Sequence, residues 1–153
     1  MTSFDRADPV IMEHILAQHR ELHAQIMAVR SAFAAAGPPD RVRVRCLREG
    51  LAALREHLAG HFQQEESGGF LEESITRMPR LSREMKAVLA DHPALLAELD
   101  RLVEALGTDG VSPANWNRVA QDFGQFSRHL VDHERHENAV VQQGYNEDLG
   151  LVD

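Results

Sequence analysis

His57-Leu58-Ala59-Gly60-His61-Phe62-Gln63-Gln64-Glu65 returns later in the chain as His129-Leu130-Val131-Asp132-His133-Glu134-Arg135-His136-Glu137. His, Leu, His and Glu each recur 72 positions on. In an α-helix, residues three and four apart share a face. The first stretch continues the apolar series Val44, Leu47, Leu51, Leu54 and Leu58, and the second continues Val119, Phe123, Phe126 and Leu130. His61 and Glu65 take the next places on the first stripe, within about 40° of its centre. His133 and Glu137 do the same on the second. Each stripe therefore carries a histidine and a carboxylate, one turn apart, into positions that the pattern assigns to a core.

The rest of the chain repeats too. Leu16, His19, Leu22, Ile26, Val29 and Phe33 match Leu89, His92, Leu95, Leu99, Leu102 and Leu106 with an offset of 73. Breakers divide the sequence into four segments. Asp8-Pro9 opens the first, Gly37-Pro38-Pro39 closes it, and Asp40 caps the second. Gly68-Gly69 ends that one, and a short apolar piece at 70–78 leads to the third. Gly107-Thr108-Asp109-Gly110 is a loop, and Ser112-Pro113 starts the fourth, which is expected to stop near Gln143-Gly144. The predicted helices span about 9–36, 40–67, 79–106 and 113–143. Residues favouring strands are sparse, while Ala, Leu, Glu and Arg dominate. Four striped helices with short connections predict an all-α, up-down-up-down four-helix bundle. It is a single domain over 1–153, built from two pseudo-symmetric helical hairpins. Pro93, directly after His92, frees the carbonyl of Leu89 and is expected to kink the third helix.

Composition narrows the function. The 153 residues are 43% hydrophobic and 26% charged, with 16 basic against 24 acidic side chains and a formal charge of −8. That balance argues against a protein that tracks a nucleic-acid backbone. No apolar run approaches a membrane span, and the first residues lack a signal pattern. A cytoplasmic location is expected. Cys46 is the only cysteine, which excludes an internal disulfide and a cysteine-based zinc site. Nine histidines are therefore the chemical resource of the chain.

Imidazoles and carboxylates facing a core cost several kcal/mol each unless a counter-charge is present. No Lys or Arg lies at the centre of either stripe near Glu65 or Glu137. Cations between the carboxylates would resolve the conflict. The symmetry suggests two metals, with Glu65 and Glu137 bridging. His23 lies one turn beyond His19 on the inward face, and its counterpart in the other copy is Leu96. One metal would then have His19, His23 and His61, and the other His92 and His133 with an open coordination position. His57 and His129 fall about 80° from their stripe centres and are expected behind the ligands or at a pocket edge.

This arrangement resembles the hemerythrin-like, or HHE cation-binding, family. The resemblance runs over residues 14–145. The stretches HLAGHFQQEESGGFLEE and HLVDHERHENAVVQQGYNEDLG are similar to bacterial members in particular. It implies a non-haem di-iron site with two bridging carboxylates and five histidines that binds dioxygen reversibly. Carried over by position, the ligands are His19, His23, His61, Glu65, His92, His133 and Glu137. Animal hemerythrins place the paired His-x-x-x-His on the third helix, whereas here it is on the first. An oxygen-binding or oxygen-sensing protein, more a binder than an enzyme, is the leading expectation. The alternatives are a stress protein that handles peroxide or nitric oxide or repairs iron clusters, and a divalent metal store. Zinc or another divalent ion suits the same donors, because imidazole does not select iron by itself.

Overall fold

The computed structural model describes residues 9–67, 81–107 and 111–150. These form four helices and no strand: α1 (Pro9–Ala34), α2 (Arg41–Ser67), α3 (Ser82–Leu106) and α4 (Pro113–Gly150). Their ends follow from local chemistry. Asp40 caps α2, its Oδ1 accepting the Arg43 N–H at 2.9 Å. Gly37, at φ 118°, supplies a left-handed turn after α1. The Arg43 guanidinium then donates to the carbonyls of Ala32 and Phe33, both at 3.2 Å, and to those of Ala35 and Gly37. It thereby satisfies the carbonyls that the end of α1 leaves open. Gly107, at φ 62°, ends α3, and Ser112 Oγ accepts the Asn115 N–H at the start of α4.

Each helix packs on its neighbours in sequence, and α1 closes the ring against α4. Every neighbouring pair is antiparallel, because rising residue numbers meet falling ones. Gln18 meets His61 and Gln25 meets His57 between α1 and α2. Arg55 meets Asp100 and Glu66 meets His92 between α2 and α3. Asp91 meets His133 and Glu98 meets His129 between α3 and α4. His19 meets Glu137 and His23 meets Glu134 between α1 and α4. The molecule is an up-down-up-down four-helix bundle.

The core has two apolar parts. The larger runs from Phe33 and Trp116 at one end to Leu58, Leu95, Phe62 and Leu130. The smaller holds Leu81, Met85, Val88, Val140 and Val141. On α3 the order is Met85, Val88, His92, Leu95, and on α4 it is Leu130, His133, Glu137, Val140. A polar layer therefore lies between the two apolar parts.

The helix boundaries differ from the sequence expectation mainly in α4, which continues through Gly144 to Gly150. One glycine costs a helix about 1 kcal/mol, which a long packed helix absorbs. Pro93 is exposed and α3 runs through it unbroken. The apolar piece at 70–78 lies outside the described residues, as do residues 79 and 80, where the third helix was expected to begin. Leu16, assigned to the α1 stripe, is exposed on the shallow side between α1 and α4. Among the described residues, no helix is long and apolar enough to cross a membrane.

Candidate metal centre

Six of the seven residues expected as ligands meet in the polar layer. His19, His61, His92, His133, Glu65 and Glu137 are all buried. Donor atoms of His19, His61, Glu65 and Glu137 lie within 4.8 Å of one another, and so do those of His92, His133 and Glu137. Glu137 belongs to both groups. Its Oε1 is 3.3 Å from His19 Nε2, and its Oε2 is 3.4 Å from His133 Nε2. Glu65 spans the same gap, with Oε1 against His61 Nε2 and Oε2 4.0 Å from His92 Nε2. Each carboxylate thus offers one oxygen to each pair of histidines. The pairs match closely: the His19 and His61 rings are 5.2 Å apart at 75°, and the His92 and His133 rings are 5.0 Å apart at 66°.

The backs of the rings show why the Nε2 atoms face inward. His61 Nδ1–H donates to Gln18 Oε1 at 2.6 Å, His92 Nδ1–H to Glu66 Oε1 at 2.9 Å, and His133 Nδ1–H to Asp91 Oδ2 at 3.1 Å. His19 Nδ1 faces Glu134 Oε2 at 4.0 Å. Three of these histidines are thus braced by the preceding helix around the ring, while His19 Nδ1 is left without a hydrogen bond. An acceptor behind Nδ1 fixes the proton there and leaves the Nε2 lone pair for a cation. Gln18 and Asp91 stand 73 positions apart, so the repeat extends to these braces.

Seven buried atoms that face one another in the layer have no hydrogen-bond partner: both oxygens of Glu65 and of Glu137, and the Nε2 atoms of His19, His92 and His133; His19 Nδ1, on the outer side of its ring, has none either. At about 1–3 kcal/mol for each orphaned group, such a cluster is costly if nothing binds it. Burial, with Glu137 alongside, pushes Glu65 up to about 11. Burial also raises Glu137, but the facing imidazoles of His133 and His19 outweigh it and hold that carboxyl below the usual range. Without cations, the two carboxylates share one proton. Burial also drives His61 down to about 4 and lowers His92 against the pull of Glu66. Neutral imidazoles and carboxylate oxygens with nothing else to bind are a donor set for divalent cations. The residues present fit a pair of them.

No family model, curated protein or solved structure matches the chain.

His23 stays outside the layer. Its side chain is 47% exposed, and its Nε2 is 2.7 Å from Glu134 Oε2. The cause is helical drift: four residues turn the side chain about 40° past His19, onto the seam with α4, where Glu134 meets it. The two ends of the site therefore have two histidines each. His129 donates to Glu98 at 2.5 Å and to Asp91 at 2.7 Å, so it supports the brace of His133. His57 donates to Gln25 at 2.6 Å and touches no ligand. Gln18, Glu66, Asp91 and Glu134 were not foreseen. A signal existed for Glu134: the repeat sets it opposite Phe62, an inward position, so an acid there had to be buried.

Proposed function

We propose that this chain is a hemerythrin-like di-iron protein that binds dioxygen or another small diatomic ligand. His19 and His61 would hold one iron and His92 and His133 the other, with Glu65 and Glu137 shared. The observation that carries this reading is the set of seven orphaned donors, aimed at one another from all four helices. Bound iron would supply the electrons that dioxygen needs for reversible capture. The chain's part is to hold the imidazoles by their Nδ1 atoms, to neutralise the ions with two shared carboxylates, and to keep water out. Phe62, flat on His92, and the apolar parts on either side support the last role. A four-histidine, two-carboxylate set is less acidic than the carboxylate-rich sets of ferritin-like oxidases, which favours binding over oxidation.

The test is iron analysis and an optical spectrum after anaerobic loading with ferrous iron. Two irons per chain, with a visible charge-transfer band that appears in air and fades under vacuum, is the expected result. Colourless protein holding two zinc ions would favour a metal store, and protein that retains no metal would overturn the site.

One observation favours a second reading. With His23 outside, both ends have two histidines, so both ions would keep open positions. That suits turnover of peroxide or nitric oxide. Steady consumption of either by the iron-loaded protein, abolished in His92→Ala, would select it.

A further inference from the structure

The two ends of the cluster are not alike, and the difference lies on opposite seams. The repeat pairs His23 with Leu96 and Glu134 with Phe62. Between α2 and α3 the cluster is walled by Phe62, whose ring lies on His92 at 3.8 Å and 5° and meets His133 edge-on at 5.6 Å. Leu96 packs against the same apolar core. An ion crossing that wall would have to shed its water among apolar rings, and Glu66, the carboxylate on that seam, is already engaged by His92 Nδ1.

Between α1 and α4 the matching positions are polar, and a cavity of about 400 Å³ opens there. It is lined by His19, His23, Glu134 and Asn138, with Arg20 and Arg135 also on its wall. The Glu134 side chain is only 8% exposed, and its Oε1 has no partner. Asn138 Oδ1, one turn further on, is buried and unpartnered as well. His23 is half-exposed at the other oxygen of Glu134. His19 joins cavity to cluster: its Nε2 faces Glu137, and its Nδ1 faces Glu134.

We propose that His23, Glu134 and Asn138 form a transient third cation site, a loading port that divalent ions occupy only in passing as they reach and leave the His19 end of the cluster. The ion at His19 and His61 then exchanges readily, while the one at His92 and His133 is trapped behind Phe62. This rests on the di-metal reading above. The donors are two oxygens and an imidazole nitrogen, which suit a first-row divalent ion. Arg20 and Arg135 do not close the port. Both are exposed and neither pairs with Glu134. Their repulsion of a cation is weakened by water and screened by salt. The buried Glu134 carboxylate, with Oε1 unpartnered and an imidazole at Oε2, supplies the attraction for a cation.

The experiment loads the full chain with Co²⁺ and follows its visible absorption after excess EDTA is added, with metal counted in parallel. Two phases of one ion each, at least tenfold apart in rate, are expected. His23→Leu and Glu134→Gln should each slow the fast phase severalfold with two ions still bound. The double variant His23→Leu/Glu134→Phe installs the other hairpin's residues and should make both phases slow. Phe62→Ala should speed the slow phase. One common rate for both ions, or a fast phase indifferent to His23→Leu and Glu134→Gln, overturns the port and leaves the cluster standing. Loss of one of the two retained ions in His23→Leu would make His23 a ligand of the cluster rather than of the port and would also overturn it. Protein that binds no cobalt at all would remove both this proposal and the di-metal reading.

Discussion

Phe62 and His92 lie face to face, 3.8 Å between ring centroids and 5° from parallel, at the contact of α2 with α3. His92 is fixed on three sides: Phe62 on its face, Glu66 behind Nδ1, and Glu65 beyond Nε2. An imidazole held this way loses little freedom when a cation arrives, so its binding is preorganised. Phe62→Leu keeps an apolar side chain but removes the stack, worth about 1 kcal/mol. Thermal unfolding of the metal-free variant should show a midpoint lower by roughly 2–4 °C. An unchanged midpoint would mean that the ring is only a filler.

The braces behind the histidines make a second prediction. Asp91 accepts from His133 with one oxygen and from His129 with the other. Asp91→Asn keeps the shape but halves the accepting capacity and removes the charge. Replacing such outer groups typically costs about 10–100-fold in metal affinity. Titration calorimetry should show one weakened site and one nearly unchanged, because His61 relies on Gln18 instead. Equal weakening of both would show that the ends are not independent.

The helical period explains which parts of this could be read from the chain. Spacing of three and four places a side chain on a face, so the stripes and the inward His61, Glu65, His133 and Glu137 were legible as core positions. His19 and His92 followed from the repeat. His23 did not, because a face is not a destination. A side chain turned about 40° from a buried one goes in or out according to the neighbouring helix, and here Glu134 of α4 meets it at the surface. Gln18, Glu66 and Asp91 were illegible for a related reason: polar residues beside a stripe look solvated until the adjacent helix sets a histidine against them. A glycine after a long stripe signals a helix end, yet α4 runs on through Gly144 to Gly150.

Proton release should accompany metal uptake. Glu65 is pushed up to about 11, so near pH 7 the metal-free pair of carboxylates carries one proton. His61 is held near 4 and His92 is also lowered, so neither has a proton to lose from Nε2 at that pH. Cation binding must expel the carboxyl proton. Affinity should therefore rise with pH, about tenfold per unit for one proton. Calorimetry in two buffers of different ionisation enthalpy should count about one proton per chain between pH 6.5 and 8. A count near zero would show that both carboxylates are already ionised.

His129 gives a pH dependence of opposite sign. Burial lowers its pKa, but Asp91 and Glu98 outweigh burial and the net shift is upward. A histidine with a raised folded pKa adds stability that is fully present below the unfolded value of about 6.5. That stability is lost as pH rises through the folded value. His129→Gln should cost about 1–2 kcal/mol in urea unfolding at pH 6, the scale of a hydrogen bond to a charged group. The cost should shrink at pH 9. A penalty that does not change with pH would mark the contact as packing alone.

Glu65 separates stability from function most directly. In the metal-free protein it is a buried acid with both oxygens unpartnered, so it weakens the fold. Glu65→Leu replaces it with an apolar side chain between the two apolar parts of the core. The metal-free variant should unfold at a higher temperature than the metal-free parent, by about 1–4 kcal/mol of stability. Metal should have the reverse effect on the parent. Each ion present at a hundred times its Kd adds about 2.7 kcal/mol, or roughly 5–10 °C for a domain of this size. In Glu65→Leu most of that gain should vanish. Calorimetric scans of both proteins with EDTA and with excess divalent metal test the pair of statements together. A variant less stable than its parent without metal, yet equally stabilised by it, would show that Glu65 serves the fold rather than the cations.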